Sequence, residues 1–103
     1  MAAIEFSQVQ KALEDMAEAD AKSRDNLIKE RLLLEMKNPH AAMLPFGGEA
    51  GIYQTVTGHR TVISTLNGAL KAIANLYGET AEPLEPLLDT ETYLPSAVEK
   101  EST

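Results

Sequence analysis

The sequence predicts an all-α fold: a long N-terminal helix and a shorter second helix packed as an antiparallel pair, with an extended acidic C-terminal arm. Three observations carry this. Residues 7–37 contain neither Gly nor Pro, so helical hydrogen bonding can run unbroken through them. Residues 61–77 place their apolar side chains in one band at helical spacing, and Gly78 follows. Residues 79–103 contain three prolines and a sharp excess of acid.

The first helix is expected over about 7–37. Ser7 and Gln10 have the spacing of a capping box, in which each side chain satisfies a free amide of the first turn. Val9, Ala12, Leu13, Met16, Ala17 and Ala19 then share one face. The stripe fails at Asp20, Ser23 and Arg24, where apolar residues should come next. Continuity is still favoured, because Glu18/Lys22, Asp20/Arg24 and Asp25/Lys29 are acid-before-base pairs four residues apart. Each such pair contributes about 0.2–0.5 kcal/mol to a helix. The interruption reads most simply as a solvated stretch of helix; a buried polar pair is the sharper alternative. Beyond it, Leu27, Ile28, Leu32, Leu33, Leu34 and Met36 surround most of the circumference. A helix apolar on most sides needs more than one neighbour. Pro39, just after Asn38, ends it.

Residues 38–60 read as a Gly/Pro-rich connection, with Pro39, Pro45, Gly47, Gly48, Gly51 and Gly58 as punctuation. Ile52–Thr57 suits a strand in composition but has no strand to pair with, and a helical turn suits it equally. The second helix is expected over 61–77, with Val62, Leu66, Ala69, Leu70, Ile73, Leu76 and Tyr77 on one band. Gly78 is the natural left-handed residue after its end. Gly68 is expected to admit a close backbone. The core seam is expected where Leu13 and Met16 meet Leu66, Ile73 and Leu76.

Residues 1–78 therefore form a two-helix body with nine acids against eight bases, and 79–103 form the arm, where seven carboxylates face Lys100 alone. The formal net charge of −7 lies almost entirely in that arm. Pro83, Pro86 and Pro95 stiffen it, and Leu84, Leu87, Leu88, Tyr93, Leu94 and Val98 give it apolar anchors that a solvating tail lacks. The pattern points to docking on another surface.

Composition narrows the functional classes. Cysteine is absent, which excludes disulfides and thiolate metal sites, and His40 and His59 lack the helical i,i+4 partner of a zinc site. The segment Gly47–Gly51 is glycine-rich, but Glu49 sits at its centre and no Lys-Ser/Thr follows, so a plain turn is the better reading than a phosphate loop. His59 with Arg60 reads as a surface turn rather than an anion site. No nucleophile elbow, calcium loop or paired acid–base constellation appears, so no enzymatic activity, cofactor or metal is expected. Scattered bases in an acidic chain argue against direct nucleic-acid contact. The longest run of large aliphatics is Leu32–Leu34, too short for a membrane span, and the first residues lack signal-peptide features. A cytoplasmic chain, or one within a virion, is expected.

The leading functional expectation is a non-catalytic structural or assembly subunit that binds like or unlike protein subunits, as homo-oligomer or hetero-complex. Small arm-bearing subunits are common in virus particles, so a virion or phage assembly component is the specific expectation, on architecture alone. The expected interface is Leu27, Ile28, Leu32, Leu33 and Met36 on the first helix with Leu84, Leu87, Leu88, Tyr93 and Leu94 on the arm. The alternative is a small acidic regulator that blocks a partner's basic, nucleic-acid-binding surface.

Overall fold

A computed structural model describes residues 3–94 of the 103. Pro95, Val98, Glu99, Lys100 and Glu101 of the expected arm lie outside the described residues. The described chain is all helical apart from its connections. Helix α1 spans Phe6–Lys37, a 3₁₀ turn covers Pro39–Met43, α2 spans Gly48–Tyr77 and a single-turn α3 covers Thr90–Tyr93.

α1 begins one residue earlier than expected, capped by Glu5 rather than Ser7. The side-chain oxygen of Gln8 accepts the Glu5 amide at 2.9 Å, which satisfies a donor outside the helical ladder. Gln10, expected in that role, instead donates to the Glu82 carbonyl of the arm at 3.0 Å. At the other end Asn38 closes the helix through its amide to the Leu34 carbonyl at 2.8 Å. Its side chain then accepts the His40 amide and starts the 3₁₀ turn.

The second helix corrects the expectation most. It begins at Gly48, not Thr61, so the segment read as connection supplies nearly half of α2. Its inward stripe runs Ile52, Val56, His59, Ile63, Leu66, Leu70 and Ala74, all buried, at the three- and four-residue steps of a packed helix. Gly51 and Gly58, which look like breakers, sit at close approaches. A Cβ on Gly51 would stand 1.9 Å from the Phe46 carbonyl oxygen, and one on Gly58 would stand 2.5 Å from the Arg24 guanidinium. Gly68 does not match its expected role: it is exposed, and a Cβ there meets nothing within 4 Å. Gly78 does match, at φ 68°. Its amide reaches the Asn75 carbonyl and the Glu79 amide reaches Ala74, the pairing of a Schellman cap.

α1 and α2 lie antiparallel. Phe6 meets Tyr77 with ring centroids 5.8 Å apart, Asp20 meets His59, and Glu35 meets Gly48. Two apolar clusters fill the seam. One holds Ala17, Ile63, Leu66, Leu70 and Leu84, with Phe6 and Leu13 against it. The other holds Ile28, Ile52, Val56 and Leu94, flanked by Leu32, Leu88 and Tyr93. The expected seam is thus right at Leu13 and Leu66, half right at Ile73, and wrong at Met16 and Leu76, which are exposed.

Leu84 and Leu94 belong to the arm, so the arm completes both clusters. From Gly78 it turns back and runs beside α2 in the opposite sense, passing Asn67, then His59, then Ile52. Two helices meeting on one seam leave a groove along each flank, and residues 81–94 fill one of them.

Candidate functional site

Between the two apolar clusters lies a polar centre. His59 is fully buried, at 0% exposure. Its Nε2 accepts the Leu87 amide of the arm at 3.0 Å. That leaves the ring proton on Nδ1, which donates to Asp20 Oδ2 at 2.7 Å. The Arg24 Nε donates to both Asp20 oxygens, at 2.9 and 3.1 Å, and its guanidinium crosses Gly58 toward the Thr55 carbonyl. The Asp20/Arg24 interruption of α1 is therefore not a solvated stretch. It is an inward-facing pair that meets a histidine. Nor is His59 a surface residue of a turn: it sits in mid-helix, with both nitrogens engaged and no path to solvent. Such an arrangement builds structure; it offers no free base. Arg60 is exposed, with its guanidinium 4.0 Å from Asp89.

The arm is read mainly through its backbone. Asn67 clamps Leu84 from both sides: its Oδ1 accepts the Leu84 amide at 2.7 Å and its Nδ2 donates to the Leu84 carbonyl at 2.9 Å. His59 then holds Leu87, and near the end the Tyr93 hydroxyl donates to Asp25. That bond, seconded by Lys29, holds the Asp25 carboxyl below its ordinary range. Burial first, and then the Asp25 carboxylate, push the Tyr93 phenol up.

These contacts redistribute the expected interface. Ile28, Leu84 and Leu94 are buried in the chain's own core, and Leu32, Leu88 and Tyr93 are half-buried against it. In this conformation Ile28, Leu84 and Leu94 are not free for a partner. Leu27, Leu33, Met36 and Leu87 remain exposed, Met36 at 79%.

The exposed part of that set on α1 continues into residues the sequence reading passed over. Met43, Leu44 and Phe46 crowd the turn end of the hairpin, and Phe46 is 74% exposed. The turn itself is tight. The Gly47 amide bonds to the Leu44 carbonyl at 2.9 Å, with Pro45 in the second position and Phe46 in the third. Phe46 carries φ 65°, a left-handed conformation that a bulky side chain rarely adopts. α1 holds this turn with two side chains one helical turn apart. Arg31 donates to the Pro45 carbonyl at 2.9 Å, and Glu35 accepts the Gly48 amide at 2.7 Å. A carboxylate at the first turn of α2 also suits its dipole. Beneath Phe46 lies a cavity of about 400 Å³, walled by Leu27, Ile28, Leu32 and Ile52 and rimmed by Arg31 and Glu35. The Arg31 Nε is buried there with no hydrogen-bond partner among the described residues.

Among the described residues, no three His, Asp or Glu side chains are gathered where they could hold a metal. No helix among them is long and apolar enough to cross a membrane. The one sequence signal for the turn-end site was an aromatic residue ahead of paired glycines in Pro-Phe-Gly-Gly. No family model, no curated protein and no solved structure matches this chain.

Proposed function

We propose that this chain is a non-catalytic assembly subunit that binds protein subunits, like or unlike, through the turn end of its helical hairpin. One observation carries the proposal: Phe46 is largely exposed and holds a positive φ that glycine would adopt without strain. A non-glycine residue in that region costs about 1–3 kcal/mol, and exposing the ring returns nothing to the isolated fold. Strain of this kind gathers where function requires it. The ring stands among Leu27, Met43 and Leu44 beside an apolar cavity, and a rimmed apolar surface of this sort marks a protein contact. Arg31 and Glu35 fix the turn in advance, which lowers the entropy lost on binding. Assembly within a virion or phage particle is the setting proposed for it, on architecture alone.

Light scattering of the purified chain over a wide concentration range tests self-association, with Phe46→Gly as the diagnostic variant. The proposal expects an oligomer that Phe46→Gly weakens while folding intact. Because unlike subunits are also admitted, a monomeric chain is then used as bait against the proteins of its own assembly, and binding that ignores Phe46 counts against the proposal.

A second reading keeps the acidic regulator. Glu79, Glu82, Glu85, Asp89 and Glu91 are all exposed along the docked arm, with no base among residues 79–94. A basic partner held by that row would dissociate steeply as salt rises, whereas the turn-end contact would not.

A further inference from the structure

The flank groove has the construction of a peptide-binding site. Its contacts to residues 82–87 are made by side chains of α1 and α2 on extended backbone: Gln10 on Glu82, Asn67 on both polar groups of Leu84, and His59 on the Leu87 amide. Two apolar sockets receive Leu84 and Leu94. None of these contacts depends on the arm belonging to the same chain. The segment joining it to α2, from Gly78 to Pro83, is exposed except for half-buried Ala81.

We infer that in the assembly this groove also accepts the arm of a second copy of the chain, so that subunits are joined by arm exchange. It rests on the proposed assembly role, for like subunits, but does not use the turn-end surface. The occupant follows from the fit. A molecule whose arm has lifted exposes an empty groove together with the segment shaped to fill it, so two such molecules are complementary in backbone spacing and socket positions. Reciprocal exchange closes a dimer, and one-way donation continues into a chain of subunits. The arm's own groove sees it at an effective concentration on the order of millimolar, so exchange takes over only where subunits are crowded, as inside a forming particle.

The native chain has no cysteine, which makes a selective test possible. Glu18 on α1 and Glu85 on the arm are exposed and line the same depression beside Leu84. Glu18→Cys and Glu85→Cys are prepared as separate full-length variants, mixed in equal amounts, equilibrated from micromolar to about 1 mM, and treated with a short bismaleimide. Random collision yields twice as much mixed pair as either like pair. Arm exchange should raise the ratio of the mixed pair to either like pair several-fold above two as concentration approaches the millimolar range. The double variant in one chain, which closes on itself at low concentration, verifies that the arm still seats. A statistical ratio at every concentration, with the double variant closing normally, would overturn the inference. Repeating the mixture with Phe46→Gly separates the two proposals, since loss of the turn-end contact leaves arm exchange in place.

Discussion

The arm-covered flank and the bare turn end invert what their compositions announce. The arm carries nearly all the net charge and three prolines, yet its Leu84 is 8% exposed and closes an internal cluster. The second half of α1 is rich in leucine, yet Leu33 is 58% exposed. What separates them is geometry rather than hydrophobicity. The arm lies over a groove that two helices create, so its leucines find sockets. The leucines around α1 outnumber the surfaces one partner helix and one strand can offer, so some face outward. An acidic segment can be core, and an apolar one can stay exposed.

The largest effect that would sharpen this contrast is a matched pair of truncations. Leu70→Ala, at the closed end, should cost about 2–5 kcal/mol in chemical denaturation. Leu33→Ala, at the open end, should stay within about 0.5 kcal/mol while weakening association. Equal losses at both positions would break the contrast. Next in size is the polar centre. His59→Ala leaves Asp20 and the Leu87 amide each short of a partner, and should cost about 1–3 kcal/mol for the groups stranded. Hydrogen exchange should show residues 85–89 losing protection more than α1 does.

A smaller change of opposite sign is expected from Phe46→Gly. Relief of the positive φ should stabilise the chain by about 1 kcal/mol, seen as a raised melting temperature, while association falls. A destabilised variant would mean that the ring serves the fold rather than a partner.

The smallest effect concerns pH at the end of the arm. Asp25 is held below its ordinary range, so its contribution is present above its unfolded pKa and is lost as pH falls through the lower folded one. Tyr93 is pushed up, so its contribution is present below its unfolded pKa and is lost as pH rises through the higher folded one. The difference in melting temperature between native chain and Tyr93→Phe should therefore be greatest in the neutral range and shrink toward both extremes. A difference flat with pH would place that hydroxyl's bond outside the stability of the fold.

The helical pairing was legible because it rests on local signals: the unbroken run through Lys37, the band after Thr61, and Gly78 as the stop. The first half of α2 was not. Gly51 and Gly58 carry weak helix propensity, and their reason for being glycine lies outside the local pattern, in the Phe46 carbonyl of the turn leading into α2 and, across the seam, in the Arg24 guanidinium. His59 belongs to the stripe through Val56 and Ile63, but a polar residue at an inward position resembles a break until its partners are seen. Asp20 and Arg24 misled for the same reason from the other helix. The four-residue pairing of Asp20 with Arg24 was visible; the third member, thirty-nine residues away, was not. At the turn, Pro-Phe-Gly-Gly announced a bend, but which residue took the left-handed conformation depended on how α1 grips the loop.

The arm's seat also sets an order of events. Asn67 and His59 lie on α2, while Gln10, Asp20 and Asp25 lie on α1, so the binding strip does not exist until the two helices have met. Hairpin contacts form early because the turn joining them is short and the loop to be closed is small. Residues 81–94 leave the ribosome after both helices and find their place last. In the arm exchange inferred above, the hairpin with its flank uncovered is the species that a second copy's arm would meet.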